Sequence, residues 1–255
     1  MRQIGRNALT GTLCYWGLVI AGREDEESTM TRYGARIWLL AAATSAMAGY
    51  VDAVGFLKLG GLFVSFMSGN STRFAVGLAG DPAVARMAIW LLAAFVGGVV
   101  AGTVVARVAG SWRKPIVLLA VGGLLALAAW VDLLVADGWA TLLMAAAMGC
   151  VNTTFQRAGE VSIGVTYMTG TLVKFGQRLA DALMGGDRWS WVPYLALWLG
   201  LVGGAVAGSF AYRSFGMASI WGAASFAVAL ALLALSFGPV EPSYVASGRA
   251  GRNVQ

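Results

Sequence analysis

The heptapeptide VGGVVAG at residues 96–102 returns as VGGAVAG at residues 202–208, and an arginine lies five residues after each copy, at Arg107 and Arg213. Two other motif pairs recur in the same order along the chain: GYVD at 49–52 with GCVN at 149–152, then MSGN at 67–70 with MTGT at 168–171. The offset between copies drifts only from 100 to 106 residues. Ordered echoes of this kind predict an internal duplication.

The duplication divides the chain into four predicted parts. Repeat one covers residues 30–137 and repeat two covers residues 138–240. Residues 1–29 form an N-terminal extension, read either as an upstream addition to a start at Met30 or as a loose surface segment. Residues 241–255 form a polar C-terminal tail.

The composition predicts an integral membrane protein. The chain is 58% hydrophobic and only 12% charged, whereas an average soluble domain is about 25% charged. Because lipid leaves no partner for open backbone groups, the predicted fold class is an all-α polytopic bundle with membrane lipids as its surroundings. The 35 glycines agree with this class, since glycine lets membrane helices approach closely.

Several function classes are disfavoured by what the sequence lacks. The net charge of +6 comes without a basic patch interleaved with aromatics, so nucleic acid is not an expected partner. The chain has no histidine and two cysteines, Cys14 and Cys150, and it carries no phosphate-binding loop or nucleophile elbow. We therefore expect no metal, no cofactor, no catalytic residues and no enzymatic activity.

The apolar stretches predict six crossings and two interrupted segments. The interrupted segments are residues 60–80 and 161–183, where small polar and basic residues break the apolar pattern. The six predicted crossings are Ala35–Leu57, Val84–Gly110, Pro115–Ala136, Trp139–Phe155, Trp191–Tyr212 and Ser219–Gly238. Polar residues are a poor lipid-facing surface, so we expect each interrupted segment to be a re-entrant or broken helix.

Charge placement favours inverted repeats. Outside residues 1–29 and the interrupted segments, twelve lysines and arginines remain. An inverted three-plus-three topology with a cytoplasmic N-terminus divides them nine inside and three outside. A parallel four-plus-four topology divides them evenly, and the positive-inside rule prefers the first division.

The interrupted segments also carry the candidate site. Each has a small hydroxyl residue and a glycine ahead of an apolar run, which is typical of a helix start, and a helix start at membrane depth favours an anion. We expect the two motifs to meet at mid-membrane as a substrate site for a small polar or anionic solute. Alternatively, these residues only satisfy broken backbone and reach the interface. The candidate residues are Asp52, Ser68, Gly69, Asn70, Thr72, Arg73, Asn152, Thr169, Gly170, Thr171 and Lys174.

Asp52 has two readings. It either pairs with Arg73 or exchanges a proton during transport, and its counterpart Asn152 cannot ionise. Asp132 is expected at the membrane interface. Gln156, Arg157 and Glu160 are expected to form a loop rather than a gate.

The stretches AGYVDA at 48–53, LGGLFVSFMSGNST at 59–72 and YMTGT at 167–171 resemble the YoaK-like family of bacterial inner-membrane proteins. The resemblance covers roughly residues 37–237. It implies about six membrane spans and a bacterial inner-membrane location, and it supplies no substrate.

Internal repeats of this size are typical of transporters, whose sites lie at the repeat interface. The predicted function is therefore transport of a small solute. The alternatives are a membrane-embedded enzyme, which would form product, and a scaffold or helper subunit, which would give neither flux nor product. The sequence leaves homo-oligomerisation open. The pairs Gly98/Gly102 and Gly204/Gly208 are expected to be helix-packing seams.

Overall fold

A computed structural model describes residues 35–135, 138–157, 160–161 and 163–239. The predicted extension 1–29 and tail 241–255 lie outside these residues. The described helices are α1 (Ala35–Leu59), α2 (Met67–Gly80), α3 (Pro82–Ala109), α4 (Arg113–Leu134), α5 (Trp139–Val151), α6 (Met168–Leu183), α7 (Val192–Phe215) and α8 (Ile220–Ser236). Short 3-10 turns, Gly110–Trp112 and Gly216–Ser219, join α3 to α4 and α7 to α8. The predicted all-α class is confirmed.

The start of α3 illustrates how local sequence sets a boundary. The Asp81 side chain accepts hydrogen bonds from the N–H groups of Ala83 (3.1 Å) and Val84 (3.2 Å). Pro82 occupies the first turn, where its missing N–H costs nothing. The helix ends before Gly110, whose φ of 55° suits glycine because it has no Cβ.

In the part of the chain that the structure describes, three helical stretches are long and apolar enough to cross a membrane: Arg36–Leu59, Pro82–Leu134 and Val192–Ser236. The second and third each contain two helices and an intervening 3-10 turn. Trp139–Val151 is a shorter apolar helix. Neither α2 nor α6 is among the long apolar stretches, in keeping with the polar breaks in both segments.

The predicted span Trp139–Phe155 was too long, because the helix ends at Val151. Asn152 donates through Nδ2 to the carbonyl oxygen of Met148 (2.8 Å), and Thr153 donates through Oγ1 to that of Cys150 (2.8 Å). Such local side-chain bonds compete with the helix ladder. A short antiparallel pair follows, β1 (Gln156–Arg157) and β2 (Glu160–Val161).

The glycine seams are confirmed. Residues from Leu40 onward form one unit, in which Gly204 and Gly208 lie against the backbone carbonyls of Ala46 and Tyr50. Gly98 lies in the same way against the carbonyl of Ala146, and Gly102 lies against the Thr153 hydroxyl and the Cα of Cys150. The first seam joins α1 to α7 and the second joins α5 to α3, so corresponding glycines make corresponding contacts.

The seams also give helix directions. Along the first seam, Ala42, Ala46 and Tyr50 meet Gly200, Gly204 and Gly208 in rising order, so α1 and α7 run parallel. The same ordering at Gly98 and Gly102 makes α3 and α5 parallel.

Contacts at the helix ends orient the remaining pairs. The ends of α1 and α4 meet in an ion pair between Lys58 Nζ and Asp132 Oδ1 (3.0 Å). Gly138, just after α4, lies against Met87 near the start of α3, so α3 and α4 are antiparallel. Tyr50 donates its hydroxyl to the carbonyl oxygen of Ser219 (2.9 Å), next to the start of α8. Helices α1, α4 and α7 therefore run one way, and α3, α5 and α8 the other.

Candidate functional site

The loop between α1 and α2 is held by Asp52. Its Oδ1 accepts hydrogen bonds from the N–H groups of Val64 (2.8 Å) and Ser65 (2.7 Å). Because Asp52 lies about two helical turns before the end of α1, the chain must turn back along the helix it has just left. Gly60 and Gly61 make the reversal with φ values of 65° and 117°, which other residues rarely adopt.

Asn70 holds the same loop from the other end. Its Nδ2 donates to the carbonyl oxygen of Phe63 (2.6 Å), and its Oδ1 accepts from the N–H of Phe63 (2.9 Å). The Asn70 side chain is 0% exposed. The Asn70 amide thus bonds to both the N–H and the C=O of Phe63. Asn70 therefore stabilises the loop that precedes its own helix.

Asn70→Ala is expected to destabilise the protein by about 2 kcal/mol, because the part-buried N–H and C=O groups of Phe63 lose their partner. Thermal unfolding of the purified protein in detergent measures the change. Ser71→Ala is the matched control, since the exposed Ser71 hydroxyl bonds only to the carbonyl oxygen of Met67 within the helix. Equal losses of stability in the two variants would contradict a role of the Asn70 side chain in holding the loop.

The loop before α6 is held by neutral groups. Thr166 donates through Oγ1 to Oδ1 of Asn152 (3.0 Å), and Ser45 Oγ lies within hydrogen-bond distance of the carbonyl oxygens of Val165 (3.1 Å) and Leu197 (3.0 Å). Asn152 and Thr166 stand at the positions that Asp52 and Ser65 occupy in the sequence echo. A carboxyl group therefore holds the first loop, and an amide holds the second.

The structure divides the predicted site residues into inward and outward groups. Asn70, Asn152 and Thr171 are buried, while Asp52 and Gly69 are partly buried. The exposed residues are Ser68, Thr72, Arg73, Thr169, Gly170 and Lys174. Three of the inward residues, Asp52, Asn70 and Asn152, bond to loop residues, and the other group faces the surroundings.

The predicted helix starts were close, but the predicted capping was wrong. Helices α2 and α6 begin at Met67 and Met168, and neither N-cap residue, Phe66 or Tyr167, makes a side-chain cap bond. The hydroxyls of Thr72 and Thr171 donate instead to the carbonyl oxygens of Ser68 and Tyr167 within their own helices. Asp52 instead holds the loop ahead of α2, through the N–H groups of Val64 and Ser65.

Arg73 and Asp52 form no ion pair in the described part of the chain. The Arg73 guanidinium lies against Gly61, and Asp132 rather than Asp52 pairs with a cation, Lys58. Helix α2 packs on α3 and α6 packs on α7, whereas α2 and α6 do not form a packed pair among the described helices. The shared mid-membrane site stays a prediction.

Sequence reasoning missed a set of buried hydroxyls. These side chains are at most 7% exposed, and they belong to Thr44, Ser45, Thr141, Thr153, Thr154 and Thr166. Single hydroxyls inside apolar runs resemble ordinary packing residues, so no pattern marks them. The available signal was the run Asn152-Thr153-Thr154 directly after an apolar helix. No group of three or more metal-ligating side chains occurs among the described residues.

Comparison with known proteins places the chain. A family model described as a protein of unknown function (DUF1275) matches residues 40–233, which is more than half of the chain. The chain belongs to the DUF1275 family. This DUF1275 protein is also 36% identical over 183 residues to a UPF0700 transmembrane protein of Rhizobium meliloti (strain 1021), covering 71% of this chain and 79% of that relative. No solved structure matches it.

The resemblance to YoaK-like proteins is confirmed, because they are members of the DUF1275 family. The relative's description and the three long apolar stretches agree. The DUF1275 protein is a transmembrane protein of an uncharacterised family.

Proposed function

We propose that the DUF1275 protein passes a small polar or anionic solute across the bacterial inner membrane, between two inverted halves, and catalyses no reaction. The N-terminus lies on the cytoplasmic side in this proposal. The observation that carries it is the pair of polar chain reversals, one held by Asp52 and the other by Asn152.

Helix direction supports inversion. Helix α1 ends on one side of the bundle and α3 begins on the same side. The segment of residues 60–81 between them therefore starts and finishes on one side. Helices α5 and α7 stand in the same relation with both directions reversed. Two segments that enter without crossing, from opposite sides, are the arrangement found in transporters built from inverted repeats.

Polar backbone at depth supports a path for a solute. Non-helical backbone within a membrane is tolerated where protein covers it or where it lines a wet cavity. The Val64 and Ser65 amides are covered by Asp52, yet the residues just beyond, including Ser68 and Thr72, are exposed. The exposed hydroxyls close to this loop can form hydrogen bonds with a passing solute.

Charge supports tolerance of anions. Arg73 and Lys174 occupy corresponding positions near the starts of α2 and α6, and both are exposed. A cation close to the positive end of a helix dipole raises the local concentration of anions. Each segment thus carries a basic group close to the start of its helix.

Solute flux into proteoliposomes tests the function, with glycerol as the neutral probe and inorganic phosphate as the anionic probe. We expect faster entry of at least one probe than into protein-free liposomes. The Arg73→Gln/Lys174→Gln double variant should lower phosphate flux at least tenfold while glycerol flux persists.

Arg107→Gln is the matched control, because Arg107 is an exposed basic residue at the far end of α3. Equal phosphate flux in the double variant and the wild type would remove the anion-guiding role. Flux at the protein-free level for both probes would favour the scaffold alternative.

A further inference from the structure

The second reversal contains a buried hydroxyl that the fold does not use. Thr154 is 0% exposed, and its Oγ1 has no hydrogen-bond partner among the described residues. Its backbone N–H is satisfied by the carbonyl oxygen of Val151 (3.1 Å). The unpaired group identified here is the side-chain hydroxyl.

The neighbouring polar groups are occupied. Thr153 Oγ1 donates to the carbonyl oxygen of Cys150 (2.8 Å) and lies against Gly102. Asn152 bonds to Met148 through its nitrogen and to Thr166 through its oxygen. None of these side chains is free to turn toward Thr154 without giving up its own bond.

The hydroxyl is not needed for shape. The position corresponding to Thr154 in the first sequence copy is Val54, which is also 0% exposed. Valine and threonine have nearly the same volume but differ by the hydroxyl. A methyl group thus suffices for packing at this point of the first copy, so the oxygen at Thr154 is a feature of the second copy alone.

Buried hydroxyls in folded proteins are almost always hydrogen-bonded, by protein, water or ligand. Four polar side chains that the structure describes in and around the second loop, those of Ser45, Asn152, Thr153 and Thr166, are neutral and buried. Neutral surroundings that exclude solvent favour a neutral partner, because an ion would lose its hydration without compensation.

We propose that Thr154 is a binding position for one neutral oxygen, which accepts a hydrogen bond from Oγ1. That oxygen belongs either to a buried water or to a hydroxyl, carbonyl or amide group of a solute. The second source rests on the proposed transport function, and the first does not. The site refines the chemistry of the path: basic groups lie at the exposed helix starts, and neutral hydroxyls lie inside.

Thr154→Val in the full-length protein tests the site through the sign of the stability change. If the hydroxyl holds an oxygen, the variant melts several degrees below wild type in detergent with glycerol present, since water and glycerol then both supply an oxygen. If the hydroxyl is merely unpaired, its removal raises Tm. Thr44→Val is the matched control, since Thr44 is equally buried and bonds only to the carbonyl oxygen of Leu40 (2.7 Å).

A Tm for Thr154→Val equal to or above that of Thr44→Val overturns the proposal. Should Thr154→Val not fold, Thr154→Ser decides: a folded serine variant supports the hydroxyl, and failure of both assigns the effect to shape and overturns it. Glycerol flux then separates the sources. A tenfold fall in Thr154→Val with lowered Tm identifies a solute oxygen, and unchanged flux with lowered Tm identifies a buried water. The Tm result stands even if the wild type shows no flux.

Discussion

Gly204→Ala is expected to destabilise the protein by about 3 kcal/mol, the upper end of the usual cost of overpacking. An added Cβ would overlap the backbone carbonyl oxygen of Ala46. Neither group can move alone, because both belong to helix backbones at the crossing of α1 and α7. The loss is measured as lowered Tm in detergent, together with the yield of folded protein from the membrane.

Gly203→Ala is the matched control for this crossing. A Cβ at Gly203 would meet nothing within 4 Å, so the variant should melt close to wild type. Gly98→Ala and Gly97→Ala repeat the comparison at the crossing of α3 and α5, with the same contrast between a blocked and an open position. If the neighbouring variants lost equal stability, general intolerance of alanine rather than the close crossing would be responsible.

Asp52→Ala is expected to cost about 3 kcal/mol, because two backbone N–H groups lose their shared acceptor and an unsatisfied donor is costly. The partners, Val64 and Ser65, lie at the turning point of the first reversal. Asp52→Asn should cost less, since the amide keeps one oxygen acceptor, as Asn152 does in the second copy. Thermal unfolding of the three proteins gives the order wild type, asparagine, alanine.

Asp81→Ala provides the comparison for an exposed carboxylate. Asp81 also accepts from two backbone N–H groups, at 3.1 and 3.2 Å, but it is exposed at the start of α3. Loss of such a cap costs about 1 kcal/mol. If Asp52→Ala cost no more than Asp81→Ala, the carboxylate would be an ordinary surface cap and not the anchor of the loop.

The sequence echo predicted the seams well because close packing in a membrane depends on residue size at a helical spacing. Gly98 and Gly102, like Gly204 and Gly208, present their contacts at intervals that the chain itself displays. The helix starts at Met67 and Met168 were also near the predicted positions, since a polar break before an apolar run is a local signal.

The roles of Asp52 and Asn70 could not be predicted, because their partners are set by the path of the loop. Asp52 reaches residues twelve and thirteen positions ahead, and Asn70 reaches one seven positions behind. Residue types alone indicated polar segments and helix starts. They therefore suggested that these side chains cap their helices, whereas the side chains bond to other groups. The early end of α5 was missed for a related reason: hydropathy does not register a side chain that bonds to its own helix.

The pairing of α1 with α7 has a consequence for biosynthesis. The glycine surface that α1 needs is supplied by Gly200, Gly204 and Gly208, which leave the ribosome roughly 150 residues after Ala46. At a synthesis rate of about 5–20 residues per second, α1 is made on the order of ten seconds before its packing partner α7. During that interval its small-residue face is open to whatever else the membrane contains. A chain truncated before α7 would keep that face unpaired. Such fragments should be recognised by membrane quality control, even though Arg36–Leu59 and Pro82–Leu134 in them are long and apolar enough to cross a membrane.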